Sequence, residues 1–178
     1  MDWYERLADY FPAHELKHPG QMEELLENHS AYHKLETDDY LVTYAEFKHF
    51  IFIDYLLVNP ETRGQGIGSK ILNAFKRRGK TVILEVEPPE DDDENTLRRV
   101  QFYERNDFKR ADRIVYTRSD EDGQPYTMDV YYWSPEDVDE RDIHHQMSHI
   151  CREIHNFKSE KYYGRLIADP EEVLEWEQ

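Results

Sequence analysis

A chain of 178 residues is long enough for one domain with a sizeable core. Its 39 acidic residues outweigh 22 lysines and arginines, and the net charge of -17 argues against nucleic acid, whose affinity comes from basic groups neutralising phosphates. Cys151 is the only cysteine, which excludes an internal disulfide, and no apolar run approaches the roughly 20 residues that cross a bilayer. The opening "MDWYERLADYF" has neither the basic start nor the apolar centre of a signal peptide, so a reducing, cytoplasmic setting is expected.

"DWYERLADYF" sets Trp3, Leu7 and Tyr10/Phe11 on one helical stripe, and "GQMEELLENH" repeats the pattern with Met22, Leu25 and Leu26. From about Tyr40 the period changes. "YLVTYAEF" and "HFIFIDYLLV" are β-branched and aromatic, separated only by Lys48, and read as a close antiparallel pair. After the turn "NPETRGQGIGSK", the segment "SKILNAFKRRGK" spaces Ile71, Leu72 and Phe75 for a helix that Gly79 stops. "TVILEVE" is a buried strand ended by Pro88 and Pro89, "EDDDE" an acidic loop, and "NTLRRVQFYERNDF" a helix with Leu97, Val100 and Phe102/Tyr103 inward. "FKRADRIVYTR", the turn "DEDG" and "PYTMDVYYW" make a strand-turn-strand unit. Ser134-Pro135 then predicts a helix running to about Phe157, and a last helix follows "DPEE".

The stretch from Asn59 to Lys70 holds Gly64, Gly66 and Gly68, three of the chain's 7 glycines, between Arg63 and Lys70. From Arg63 to Lys80 there are basic residues and no acid, a positive island in a negative chain. A strand entering a glycine-rich turn and then a helix cradles phosphate: the glycines turn backbone N–H groups inward, and the helix N-terminus adds about half a positive charge. The order Gly68-Ser69-Lys70 fails the Walker A pattern. The dinucleotide fingerprint is a closer rival, with Glu85 and Glu87 about 20 residues on. Against it, the third glycine falls one residue early and the preceding strand belongs to an antiparallel pair.

"LLVNPETRGQGIGSKIL" resembles motif A of the GNAT superfamily, the N-acetyltransferases that use acyl-coenzyme A. Arg63, Gly66 and Gly68 fill its Arg/Gln-x-x-Gly-x-Gly/Ala signature, and Leu56, Val58 and Pro60 its lead-in. "LEVEP" is similar to the family's next strand and "FYERNDF" to its Tyr-x-x-x-Gly-Phe helix end. The resemblance covers roughly Tyr40 to Trp133. It implies an α+β fold with a mixed, mostly antiparallel sheet and splayed central strands. Residues 1–133 would form the acetyltransferase domain, with 134–178 a helical C-terminal extension packed on it.

The same resemblance implies direct transfer of an acetyl group from acetyl-coenzyme A to a primary amine, with the cofactor's pantetheine arm in the gap between the splayed strands. Leu57 and Val58 would pair with that arm through their backbone, the Val58 N–H serving as oxyanion donor. Arg63, Gly64, Gln65, Gly66, Ile67, Gly68, Ser69 and Lys70 would hold the pyrophosphate. Tyr103 matches the family's helix tyrosine near the sulfur. Glu85 stands where some members carry the general base, and burial would raise its pKa toward neutrality; Glu87 and Asp54 are rivals. The family's helix asparagine falls by spacing at Thr96, while the asparagine here is Asn95. Asp107 replaces the family's glycine, and Asn106 or Asp107 would take the left-handed geometry.

Asp91, Asp92, Asp93 and Glu94 are expected near the acceptor entrance, where they would favour a cationic amine: a small molecule, a polyamine, a protein lysine or an N-terminus. His145 and His149 stand four apart without a third ligand, and no metal is expected. Neither nucleic acid nor membrane is expected as a partner. The tail reads as a lid, a homodimer surface or a partner platform. The reading from another class is a GNAT-fold acyl-coenzyme-A-binding regulator without efficient turnover.

Overall fold

The computed structural model describes residues 2–178. Helices α1 (Trp3–Tyr10) and α2 (Pro19–Asn28) come first, α1 opened by a capping box between Asp2 and Glu5. Strands β1 (Tyr32–Glu36), β2 (Tyr40–Glu46) and β3 (Phe50–Val58) follow as an antiparallel meander. Helix α3 (Ile67–Lys76) crosses over to β4 (Thr81–Val86), which lies parallel to β3. Then come α4 (Glu94–Arg105), β5 (Lys109–Arg110), β6 (Ile114–Ser119) and β7 (Pro125–Trp133). The chain closes with α5 (Glu140–Ile150), a π-helical turn (Cys151–His155), α6 (Ser159–Tyr163), α7 (Pro170–Val173) and β8 (Leu174–Trp176). The sheet runs β1-β2-β3-β4-β7-β6-β8, with β5 against β7, and only the β3–β4 pair is parallel among the described residues.

Helices cover both faces. On one, Ile71, Leu72 and Phe75 of α3 and Val100 and Tyr103 of α4 pack on Ile51, Ile53, Val82 and Leu84. On the other, Ile143, Met147, Ile150, Cys151 and Ile154 form a continuous helical stripe against Phe50, Phe52, Ile83 and Val130. No helix among the described residues is long and apolar enough to cross a membrane.

Two features open the centre of the sheet. Thr43 pairs with Tyr55 and Tyr44 with Ile53, so Asp54 is an extra residue on β3, a β-bulge. The bulge reverses the alternation of the strand. Ile51 and Ile53 face α3 and α4 before it, whereas Leu56 and Val58 do so after it, and Tyr55 and Leu57 turn to α1 and α2. The β3–β4 ladder also ends at Ile53↔Leu84, while β3 runs on to Val58 and β4 to Val86. Past that point β4 is paired only with β7 and β3 only with β2, so a gap lies between them.

The tail departs from the expected one. No helix starts at Ser134; its hydroxyl lies 3.0 Å from the Thr81 hydroxyl instead of capping, and Asp139 caps α5, accepting from the Arg141 N–H at 2.9 Å. After "DPEE" the helix lasts 4 residues, and the chain turns into β8, which pairs with β6. The extension therefore contributes a strand to the sheet and is not wholly helical. "FKRADRIVYTR" is likewise two strands, β5 and β6. Asp107 takes the left-handed conformation at the end of α4, with φ 69°, as its position in place of glycine requires.

Candidate active site

The glycine turn leads from β3 through a short 3-10 turn (Pro60–Thr62) into α3. Gly64 and Gly66 have φ of +87° and +75°, and a Cβ on either would meet nothing within 4 Å. These two glycines are needed for backbone conformation, and the space above them is open. Gly68 differs: a Cβ there would stand 2.8 Å from Phe102 Cζ, so its smallness lets α3 approach α4. Gly66 is the N-cap of α3 and offers no side-chain acceptor, which leaves the first N–H groups of the helix turned toward the opening.

That opening is a cavity of about 440 Å³. Gly64, Gly66, Ile67, Gly68 and Ser69 form its floor; Leu56 and Val58 line the β3 side, and Asn95, Arg98, Arg99, Phe102, Tyr103 and Arg105 the α4 side. With Arg63 it has four arginines and not one carboxylate among its lining residues. Arg63 and Arg99 both stack on Tyr10, 5.1 Å and 5.6 Å from the ring centroid, which holds their guanidinium groups at the edge of the opening. Uncapped helix N–H groups and clustered guanidinium groups fit a polyanion such as a diphosphate.

A second cavity, about 330 Å³, lies on the other side of the gap. Asp54, Glu85 and Glu87 come from β3 and the β4 end, Glu15 and Lys17 from the α1–α2 loop, Arg118 and Tyr126 from β6 and β7. The C-terminal extension closes it with His155, Tyr162, Tyr163, Arg165 and Ile167. Tyr163 ties that wall to α2, donating to Gln21 Oε1 at 2.8 Å and accepting from the His18 N–H at 2.7 Å. Leu56, Arg99 and Tyr103 line both cavities, so the two meet at the splayed strands.

A buried polar chain runs under the second cavity. Lys17 Nζ donates to Asp54 Oδ1 at 2.9 Å and lies 3.0 Å from His155 Nδ1; Tyr32 donates to Asp54 Oδ2 at 2.6 Å. An ammonium only donates, so Nδ1 accepts and Nε2 carries the hydrogen, donated to Glu85 Oε2 at 2.6 Å. Tyr116 also donates to Glu85 Oε2, at 3.2 Å, and accepts from Arg118 at 3.1 Å. Burial and the Lys17 charge push the His155 imidazole below its ordinary value, which keeps it neutral near pH 7.

Family membership follows from two comparisons. The chain is 42% identical over 177 residues, 98% of its length and 92% of the relative's, to a Bacillus subtilis (strain 168) protein named "Putative acetyltransferase YjbC". The family model described as "Acetyltransferase (GNAT) domain" matches residues 28–110. The chain belongs to the GNAT superfamily of acetyltransferases. The fold agrees. A GNAT-family structure from Bacteroides thetaiotaomicron superposes with a TM-score of 0.66 at 21% identity, covering 90% of this chain and 89% of that one. NAA60 from Arabidopsis thaliana, solved with a bisubstrate analogue, superposes with a TM-score of 0.52 at 15% identity, covering 73% and 91%.

Against the GNAT pattern read in the sequence, the structure sorts the named residues. Val58, Arg63, Gly64, Gly66, Ile67, Gly68, Ser69, Asn95 and Tyr103 line the arginine-rich cavity. Gln65 and Lys70 are exposed and outside its lining, and the Leu57 side chain is buried against Leu7, Met22 and Leu41 on the opposite face. The Asn59 N–H is donated to Asp39 O on the β2 side, so strand alternation turns the Val58 N–H toward the gap. The asparagine question has a local answer: Thr96 is buried and its hydroxyl serves Glu90 N and Asp93 O at 2.8 and 2.7 Å, whereas Asn95 faces the cavity. Tyr103 is buried, and its hydroxyl is pushed up to about 12, burial outweighing the nearby Arg99 charge, so it stays protonated at neutral pH.

Glu85 is corrected. It lines the second cavity, but its pKa is not raised toward neutrality. Burial alone would raise it; the neutral His155 acts at neutral pH through its hydrogen bond and in acid, once protonated, through its charge as well, and with Arg118 and Lys17 it brings Glu85 down to about 2. Asp91 to Glu94 line neither cavity, and Asp93 caps α4 by accepting from the Asn95 N–H at 3.0 Å. His149 packs edge-on against Phe47 at 4.8 Å, and among the described residues no cluster of three His, Cys, Asp or Glu could hold a metal.

Sequence reasoning missed Arg98, Arg99 and Arg105. The spacing Arg98–Phe102–Arg105 puts one helical face toward the turn, a signal present in "LRRVQFYER". It also missed Glu15, Lys17 and His155, which no motif marks.

Proposed function

We propose that this GNAT acetyltransferase moves the acetyl group of acetyl-coenzyme A to a primary amine that is cationic at neutral pH. One observation carries the reading. An acid-free cavity lined by four arginines and a carboxylate-bearing cavity meet at Leu56, Arg99 and Tyr103, in the gap between β3 and β4. The first suits a nucleotide diphosphate. The second, with Asp54, Glu85, Glu87, Asp120 and Glu121 against Lys17, Arg99, Arg118 and Arg165, has an excess of negative groups that suits an ammonium.

In this assignment Arg63 and the amides of Gly64 to Ser69 hold the diphosphate, with Gln65 and Lys70 adding only backbone and peripheral charge. Asn95 takes the α4 side. Of the two residues named for the pantetheine arm, Val58 presents its backbone to the gap, whereas Leu57 is paired with Leu41 of β2; the Val58 N–H faces the oxygen that gathers negative charge during transfer. Tyr103 supplies a proton to the departing sulfur. Glu85 acts as a fixed negative charge in the acceptor cavity. Residues 134–178 belong to the same folded unit as 1–133, because they wall the acceptor side.

The enclosure by Tyr162 and Tyr163 favours a small amine over a long peptide. Thiol release is measured with acetyl-coenzyme A and a panel of spermidine, lysine, glucosamine and an alanine-started peptide. Turnover with a small amine is expected, falling at least tenfold in Tyr103→Phe while the thermal shift given by coenzyme A is unchanged. Tight coenzyme A binding with no turnover on any amine would overturn this reading in favour of a regulator.

A further inference from the structure

We propose that Glu15, on the loop between α1 and α2, takes the proton from the acceptor's ammonium; this rests on the transferase reading above. Of the other carboxylates lining the acceptor cavity, Glu121 is exposed at its rim and the rest are already engaged. Asp54 has Lys17 on one oxygen and Tyr32 on the other. Glu85 accepts from His155 and Tyr116, and Glu87 pairs with Arg99 at 3.7 Å. Asp120 Oδ1 accepts the N–H groups of Asp122 and Gln124, both at 2.9 Å. Glu15 is half-buried in the same cavity, and its Oε2 is enclosed without a hydrogen-bond partner among the described residues.

Its backbone is held where such a group must stay fixed. Tyr55 donates to Glu15 O at 2.6 Å and accepts from the Lys17 N–H at 2.8 Å; Tyr126 donates to His14 O at 3.1 Å and Tyr4 to Lys17 O at 2.8 Å. The loop is thus tied to β3, β7 and α1 at once. The charged and titratable groups facing the carboxyl are Glu85 and Glu87 from the β4 end, Arg99 from α4 and Tyr126 from β7. Burial and Glu87 push the carboxyl up, Arg99 opposes and Glu85 adds, leaving it at about 7. A group poised there is half ionised at neutral pH and exchanges a proton with an amine, whereas Glu85, at about 2, stays a carboxylate.

The step balances. One proton leaves the ammonium for the Glu15 carboxylate, and the freed nitrogen lone pair forms the N–C bond at the thioester carbonyl. The C–S bond breaks and its electron pair goes to sulfur. The Tyr103 hydroxyl gives its proton to the sulfur, and the second proton leaving the nitrogen passes to the Tyr103 oxygen and restores the hydroxyl. Glu15 then releases its proton to solvent.

The test compares the full chain with Glu15→Gln and Glu15→Asp, following thiol release from acetyl-coenzyme A with spermidine, lysine and glucosamine from pH 5.5 to 9.5. The wild-type kcat/KM is expected to rise along a limb centred near 7. Glu15→Gln should lower it about 10²–10⁴-fold and replace that limb by a steady rise with hydroxide. Glu15→Asp should keep the limb at reduced height, and it serves in place of Glu15→Gln if the amide variant does not fold. The thermal shift by acetyl-coenzyme A should stay at the wild-type value in both. A Glu15→Gln protein within fivefold of wild type, or one that keeps the limb near 7, overturns the proposal and leaves the transferase reading intact. Wild-type protein that binds acetyl-coenzyme A and turns over none of the amines overturns both.

Discussion

Removing the Glu15 charge should stabilise the resting protein, and by an amount set by pH. The carboxyl sits at about 7 in the folded chain against an ordinary value of 4.5. Because the folded value is the higher one, the folded state is favoured by protonation. The associated stability is complete below 4.5 and is lost as pH rises through about 7. For a carboxyl moved that far, the ionised form disfavours folding by about 3 kcal/mol at pH 8 and under about 1 kcal/mol at pH 5. Partial exposure screens the group and reduces the upper figure to about 1–3 kcal/mol. The neutral isostere in Glu15→Gln has no such loss. Its melting temperature should exceed wild type by about 3–10 °C at pH 8, with the difference shrinking to near zero at pH 5. Thermal denaturation at half-unit pH steps reads this directly. A difference that is flat from pH 5 to 8, or that grows toward acid, would refute the burial and Glu87 argument for the site. Glu15 would then be a residue kept at a stability cost without that electrostatic cause, and its functional assignment would lose its physical basis.

Three further outcomes follow from the geometry. Lys17→Met leaves the Asp54 carboxylate, 4% exposed, with only Tyr32 as donor, and should cost about 3–5 kcal/mol in urea melts, most of it recovered in Lys17→Met/Asp54→Asn. Gly66→Ala forces a side chain into φ +75° with no clash, so it should cost about 1–2 kcal/mol and still weaken the coenzyme A thermal shift, because the amides it positions move. In the acid range, Glu85 at about 2 and a depressed His155 have the same sign: both folded values lie below the unfolded ones, so stability is lost as pH falls, first through His155 and then through Glu85. Glu85→Gln should flatten the part of that acid limb between 4.5 and about 2, and an unchanged limb would count against the His155 pairing.

What the sequence determined by itself is whatever depends on near neighbours. The glycine turn is one such case, since a left-handed backbone at Gly64 and Gly66 and an uncapped helix at Ile67 are written in consecutive residues. The apolar stripes of α1 to α3 and the β2–β3 pair are others, because a period of 3.6 or 2 shows within ten residues, whereas on α4 Val100 and Tyr103 turn inward as expected but Leu97 is 48% exposed. Residue type there is enough to imply an anion cradle. The acceptor side was beyond such reading. Glu85 looked like a base raised by burial; its real state depends on His155, 70 positions away, delivered by a π-helical turn whose place in the fold no local pattern predicts. Asp54 became a bulge residue and a buried ion-pair partner through Lys17, 37 positions earlier, and Glu15 was left without a partner only because its neighbours found theirs. A pKa is set by the charges and solvent around a group in space. The tertiary structure therefore decided which carboxylate is free, while the sequence alone had marked the glycine turn as a candidate anion cradle.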